Sequence, residues 1–418
     1  MTLDNVQQLD RDHVAHTYDR YPVLLVSGNG VHVTDSEGNH FLDFLSGIGV
    51  NALGYGHPAV TSAVIKQLQT GLLHTSNLFH NEHQAELAHK LCAISGMQKA
   101  FIANTGTEAW EGALKFARLH ALAKAPGDGQ KRTRIIAMHN SFHGRTYGSL
   151  STTGQAKYRD PFAPLVPDVD FVKFNDVADL MRKVDGSIAA ICLETIQGEG
   201  GVVPVTPEFF RAARELSDSV GAVLICDEIQ CGMGRTGKWF AYQHYGNQPD
   251  IVTLAKPVAG GVPLAAILMT EAVAAAIKPG MHGTTFGGGP LACAAALAAI
   301  EAIEQEKLLH HVNQVGSYFA QKLTALAHDL DCIKDVRGMG LMVAVELHSA
   351  DIAKRAVTDM LARKIIINRT HETVLRFLPP YIIGTQHVDE LITALAHVLK
   401  VASAASTISV GGQEKKHG

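Results

Sequence analysis

The chain has 418 residues, 46% of them hydrophobic, and a formal net charge of −4. That length suits one large domain plus a smaller one, and the composition permits a sizeable core. The charge gives no basic field for nucleic acid, no apolar run is long enough to span a membrane, and the six cysteines form no CxxC, so neither a zinc site nor a disulfide framework is indicated.

The N-terminal stretch from Met1 to Arg11 is polar and acidic and lacks the basic and apolar regions of a signal peptide. A cytoplasmic protein is expected. Gly30 to Asp43 reads as a hairpin whose strands flank a turn at Asp35–Asn39. Pro58 to Gln69 reads as a helix with a proline start. From Lys99 to Leu268 strands and helices alternate. Strands are expected at Lys99–Ile102, Arg134–Met138, Ile188–Leu193, Ala222–Cys226, Ile251–Leu254 and Ala265–Met269, and helices include Thr107–His120 and Pro207–Val220. The alternation implies an α/β domain with a mostly parallel sheet. Leu291 to Leu326 reads as largely helical. Strands at Met342–Leu347, Ile365–Asn368 and Thr373–Phe377 and a helix at Val388–Val401 then suggest a smaller α+β lobe joined by the N-terminal hairpin. The expected division is 1–65 with the small domain, 66–289 as the large domain, 290–402 as the rest of the small domain, and 403–418 as a flexible tail. The cysteines read as reduced core residues.

Two apolar runs end abruptly in ionisable residues. Ala222–Cys226 delivers Asp227, and Ile251–Ala255 delivers Lys256. An acid that can pair with a pyridine nitrogen and a lysine that can form a Schiff base are what pyridoxal phosphate chemistry requires. Asp227 can also be read as a structural acid capping a turn. Lys256, held between an apolar strand and Ala259-Gly260-Gly261, is a candidate nucleophile.

Other motifs fit an anionic, flat ligand. Asn104-Thr105-Gly106-Thr107-Glu108-Ala109 follows a strand and opens a helix, which suits a phosphate at Gly106 and Thr107, or an ordinary threonine N-cap. In Ser141-Phe142-His143-Gly144-Arg145-Thr146, Phe142 can stack on a ring and Arg145 can clamp a carboxylate, or the two are a core aromatic and a surface cation. Gln230 can reach a phenolic oxygen, and Glu228 reads as a structural neighbour. The glycine- and threonine-rich segment His282 to Pro290 suits a phosphate contact or a flexible connector. Arg376, set among apolar residues, needs a carboxylate partner from the protein or from a substrate. The 22 histidines lack ligand spacing, and no metal is expected.

Together with Ile196-Gln197-Gly198-Glu199-Gly200-Gly201, Asp227–Gly237, Phe240–Gly246 and Leu375–Pro380, these motifs resemble the class III, pyridoxal-phosphate-dependent aminotransferases of fold type I, over nearly the whole chain. The resemblance implies a large domain with a mostly parallel central sheet plus a smaller α+β domain. It implies that Lys256 binds the cofactor covalently and shuttles protons. Gly106 and Thr107 hold the phosphate, Phe142 stacks on the ring, Asp227 pairs with its nitrogen, and Gln230 lies by its phenolic oxygen. Thr285 reaches the phosphate of a neighbouring subunit and Thr284 lies near the substrate, so a homodimer with shared active sites is implied. Arg145 takes the α-carboxylate of the amino donor, Arg376 that of glutamate or 2-oxoglutarate, and Glu199 gates Arg376. The implied reaction moves the side-chain amine of N2-acetyl-L-ornithine to 2-oxoglutarate in arginine biosynthesis. Ornithine, succinylornithine or 4-aminobutyrate are alternative donors, and an aminomutase or decarboxylase is an alternative activity of the same fold.

Three places depart from the family pattern without removing a catalytic group. Trp110 stands where a small or polar residue is usual, Pro257 and Ala259 follow the lysine, and Thr195 replaces the proline that usually follows the acid Glu194.

Overall fold

The computed structural model describes residues 1–124 and 132–411, with side chains described to residue 404. Its centre is a seven-stranded sheet in the order Lys99–Ala103, Ala265–Met269, Ile251–Leu254, Val223–Asp227, Ile188–Glu194, Arg134–Met138, Val169–Val172. Ala265–Met269 is antiparallel to both its neighbours, and the other four pairings are parallel. All seven residues of Ile188–Glu194 and all five of Val223–Asp227 are buried. Helices cover both faces of such a sheet, so its strands read as unbroken apolar runs rather than alternating ones.

All six strands expected in this region are present, with ends shifted by at most one residue. The edge strand Val169–Val172 was not expected, because three of its four residues are only half buried and Asp170 interrupts the apolar pattern. The helix Pro207–Val220 starts on a proline at its first position, its N-cap Thr206 accepts the Phe209 N–H at 3.2 Å, and Gly221 closes it in the left-handed conformation.

Two further four-stranded sheets flank this unit. In one, the N-terminal strands Leu25–Asn29, His32–Asp35 and His40–Asp43 are extended by Ile365–Ile366, which pairs parallel to His40–Asp43. The other is antiparallel, in the order Ile333–Met339, Met342–Leu347, Val374–Phe377, Asn368–Thr370. The single strand expected at Ile365–Asn368 is therefore two, one in each sheet. The N-terminal stretch, read only as polar, forms a helix at Leu3–His13, where the N-cap Thr2 accepts the Asn5 N–H. The C-terminal helix runs Thr385–Gly411, past its expected end at Val401, through a stretch rich in alanine, a strong helix former. Residues 412–418 lie outside the described structure.

All six cysteines are free, four of them buried and Cys92 and Cys332 half-buried. Among the described residues no helix is long and apolar enough to cross a membrane.

Candidate active site

Strands that run in parallel end on the same edge of a sheet, and ligands bind outside those carboxyl ends. Asp227 and Glu194 are the terminal residues of adjacent strands and stand opposite each other in register. Lys256 lies two residues beyond Ile251–Leu254, where the chain turns into the short helix Lys256–Ala259. Gly106 and Thr107 open the helix that follows Lys99–Ala103, and Phe142–Gly144 follow Arg134–Met138. These residues line one cavity of about 200 Å³ together with Glu199, Gln230, Ile196 and Ile229.

The hydrogen bonds at the helix start show which threonine caps it. Thr105, not Thr107, is the N-cap, and it forms a capping box with Glu108. Thr107 is left free of that task. Its hydroxyl lies 2.8 Å from both the Thr146 and Ser149 hydroxyls at the cavity wall. Glu111 organises this cluster by accepting the Gly148 and Ser149 N–H groups and the Thr146 hydroxyl. Gly144 has a φ of 133°, and any Cβ there would collide with the Thr107 hydroxyl, so the close approach requires glycine.

Asp227 is 4% exposed. One carboxylate oxygen accepts the Ile229 N–H at 3.0 Å, and the other lies 2.7 Å from His143 Nδ1. Glu194 accepts N–H groups from Phe142 at 2.9 Å and Gly198 at 3.0 Å. Burial and then the neighbouring Asp227 charge push the Glu194 carboxyl up to about 8, despite those two hydrogen bonds. Lys256 is lowered from its ordinary value by burial first and by the Arg376 charge second, with Glu199, Asp227 and Glu194 opposing the shift. An amine in such a place is more readily neutral, and so more readily a base or nucleophile, than one at the surface.

Arg376 does not line the cavity. It is 1% exposed, and its Nη1 donates to Glu199 at 2.6 Å and to the Gln230 side-chain oxygen at 3.2 Å, while Nε donates to Asn368. Burial pushes Glu199 up, but the charge and hydrogen bond of Arg376 outweigh it and hold the carboxyl below its ordinary value. Arg145 is exposed, with its guanidinium 4.0 Å from the centre of the Tyr158 ring and 5.4 Å from that of Phe142. Thr284 and Thr285 lie outside the cavity lining. Thr284 accepts from Asn104 Nδ2 at 3.1 Å, and Thr285 is exposed on its loop.

Glu228 is structural, as expected. It accepts the Ala241 and Tyr242 N–H groups, and Thr195 donates to it at 2.7 Å. Thr195 is thereby explained: proline there would leave this buried acid, pushed up by burial to about 7, one donor short. Sequence reasoning passed over His143 and gave Glu194 no place in the cavity. The only available signal was their position directly beside Phe142 and Thr195.

The comparisons with known proteins point one way. The aminotransferase class-III family model matches residues 13–399. The acetylornithine aminotransferase of Methanocaldococcus jannaschii is 47% identical over 95% of this chain and 98% of its own length. That of Caldanaerobacter subterraneus subsp. tengcongensis is 46% identical over 93% and 98%. Among solved structures, the ornithine aminotransferase of Toxoplasma gondii superposes with a TM-score of 0.91 at 33% identity, over 97% of this chain and 96% of that one, and one of its structures records pyridoxal phosphate at the active site. The acetylornithine aminotransferase of Elizabethkingia anophelis superposes with a TM-score of 0.85 at 31% identity, over 96% and 99%. A buried acid, a lysine with a depressed pKa and a helix start that carries a hydroxyl at the cavity wall, on one sheet edge, agree with that match, and the chain belongs to the class III aminotransferases, which are pyridoxal-phosphate enzymes.

Proposed function

We propose that this enzyme transfers the side-chain amino group of N2-acetyl-L-ornithine to 2-oxoglutarate, giving N-acetyl-L-glutamate 5-semialdehyde and L-glutamate. That reaction serves arginine biosynthesis, a cytoplasmic role. The observation that carries this reading is the contrast between two arginines: Arg376 is engaged by Glu199 near the lysine, whereas Arg145 has only aromatic contacts and, among the described residues, no carboxylate partner. A donor whose reacting amine is remote from its α-carboxylate can place the carboxylate at Arg145 while Glu199 masks Arg376. 2-Oxoglutarate reacts next to its α-carboxylate, so it needs Arg376 unmasked. The names of the similar enzymes support the same donor.

The cavity residues fit pyridoxal phosphate. The donor set is right for it: an amine, an acid 4% exposed, an aromatic wall at Phe142, and hydroxyls and N–H groups at a helix start. A Cβ on Gly106 would press against Ile229, so that wall has no room to spare. The cofactor supplies an aldehyde that takes up the amine and a ring that accepts the electrons released when the carbon–hydrogen bond breaks. Lys256 would hold the cofactor and, as a free amine, would serve as the base for the proton on the carbon bearing the substrate amine. Asp227 would offer its carboxylate to the ring nitrogen and stabilise positive charge there. Gly106 and Thr107 would receive the phosphate at the positive end of their helix. Phe142 would cover the ring, and Gln230 would hold its phenolic oxygen. Thr284 and Thr285, away from this chain's own cavity, serve substrate and phosphate across a homodimer interface. The domain division 1–65 with 290–402, against 66–289, is proposed alongside, supported by the pairing of Ile365–Ile366 with the N-terminal hairpin.

Free ornithine is the competing donor, because it differs from acetylornithine only by the acetyl group. Mixing the purified holoenzyme with each amine and following the cofactor absorption distinguishes them. The expected result is rapid bleaching by N-acetylornithine, slower bleaching by ornithine and 4-aminobutyrate, and recovery on adding 2-oxoglutarate. A faster response to another amine overturns the donor. Lys256→Ala is expected to lower turnover by about 10²–10⁴-fold or more, and near-normal turnover in that variant overturns the assigned base.

A further inference from the structure

Trp110 lies four residues into the helix that opens with Gly106, and it is wholly buried. Its indole ring lies flat on the imidazole of His143, with centroids 3.8 Å apart and planes 4° from parallel. The indole N–H donates to the Thr152 hydroxyl at 2.8 Å, and the next residue, Thr153, accepts the His143 backbone N–H at 3.0 Å. One short stretch of chain therefore anchors the indole ring and the His143 backbone.

His143 is 2% exposed and makes a single side-chain hydrogen bond, from Nδ1 to Asp227. Its Nε2 is buried without a partner among the described residues. A ring fixed at one edge can still tilt about that bond. Here the broad indole face removes the tilt, because any rotation out of plane drives imidazole atoms into a surface already at van der Waals distance. The second Asp227 oxygen is held by the Ile229 N–H, so the carboxylate plane depends on two partners, one a backbone group and the other His143.

We propose that Trp110 is a positioning residue: it fixes the plane of His143, which in turn sets the orientation of the Asp227 carboxylate toward the cofactor ring nitrogen. Trp110 does not line the cavity and touches neither cofactor nor substrate. A small or polar side chain at this position offers no such face, so the orientation of Asp227 would then rest on hydrogen bonds alone. The inference rests on the assignment of Asp227 to the ring nitrogen.

The test compares Trp110→Phe, Trp110→Leu, Thr152→Val and Asp227→Asn. The readouts are the pyridoxal phosphate dissociation constant of the refilled apoenzyme, the absorption maximum of the bound cofactor, and the ¹⁵N resonances of the His143 ring in the apoenzyme. Trp110→Leu is expected to move the His143 resonances and weaken cofactor binding about tenfold, while Trp110→Phe, which keeps a ring face, stays within about threefold of the parent. Unmoved His143 resonances, or equal losses in the two Trp110 variants, overturn the proposal. Thr152→Val releases the indole edge without opening a cavity and decides the matter if Trp110→Leu does not fold. A changed absorption maximum and displaced His143 resonances are expected, and parental values for both overturn the proposal. Asp227→Asn separates the two levels. Unchanged cofactor affinity there removes the Asp227 assignment itself, whereas weakened affinity in Asp227→Asn with a parental Trp110→Leu removes only the role of Trp110.

Discussion

Arg376 and Arg145 carry the same guanidinium in opposite surroundings. Arg376 is buried and hydrogen bonded to Glu199, Gln230 and Asn368. Arg145 is exposed and rests on the rings of Tyr158 and Phe142. A charge inside a protein is tolerated only if its partners replace water, so Arg376 is bound into the fold, and under the proposed function a substrate carboxylate would have to take the place of Glu199. A charge at the rim keeps its water, and aromatic faces steer it without neutralising it. The first arrangement suits a gate, and the second suits a standing receptor for a carboxylate.

The contrast is broken most severely at the buried end. Arg376→Ala strands Glu199, and unfolding in urea is expected to show a loss of about 2–3 kcal/mol, the low side for a buried pair because a quarter of the Glu199 side chain remains exposed. The half-reaction with 2-oxoglutarate, followed in single turnover, is expected to slow by about a hundredfold, equivalent to the loss of about 2.7 kcal/mol of carboxylate recognition. Parental stability together with parental turnover would erase the distinction between the two arginines. Arg145→Ala should act on binding alone. The KM for acetylornithine is expected to rise about tenfold, as for a lost hydrogen bond to a charged group, and stability to stay within about 0.5 kcal/mol. A larger change in kcat than in KM would move Arg145 from receptor to reaction centre.

The buried side is sharpened again through pH. Glu194 has its carboxyl pushed up to about 8 in the folded chain from an ordinary 4.5. Between those values the folded state binds more proton than the unfolded state, so its contribution is fully present below 4.5 and is lost as pH rises through 8. The stability of the apoenzyme, measured by urea unfolding between about pH 5 and 8, is expected to fall more steeply for the parent than for Glu194→Gln. Parallel curves would show that Glu194 is not held protonated.

The strands that deliver Asp227 and Lys256 could be read from sequence because parallel strands buried on both faces are unbroken apolar runs, and an ionisable residue at their end is conspicuous. Arg376, between Leu375 and Phe377, was marked as set among apolar residues because its strand, although antiparallel, is buried at all four positions. The edge strand Val169–Val172 lacked that signal, being half exposed, and Ile365–Asn368 read as one strand because nothing local records that its two ends join different sheets.

The site divides along the same line. Sequence by itself determined which residue types stand at the carboxyl ends of the strands and at the helix start, and so the class of chemistry, because strand and helix periodicity act over a few neighbouring residues. Only the tertiary structure decided what lies across the gap. Thr195 holds Glu228, Glu199 closes on Arg376, and Trp110 lies flat on His143 against Asp227. These pairs are separated by up to 177 positions in the chain, and contacts between residues so far apart form only when whole elements pack.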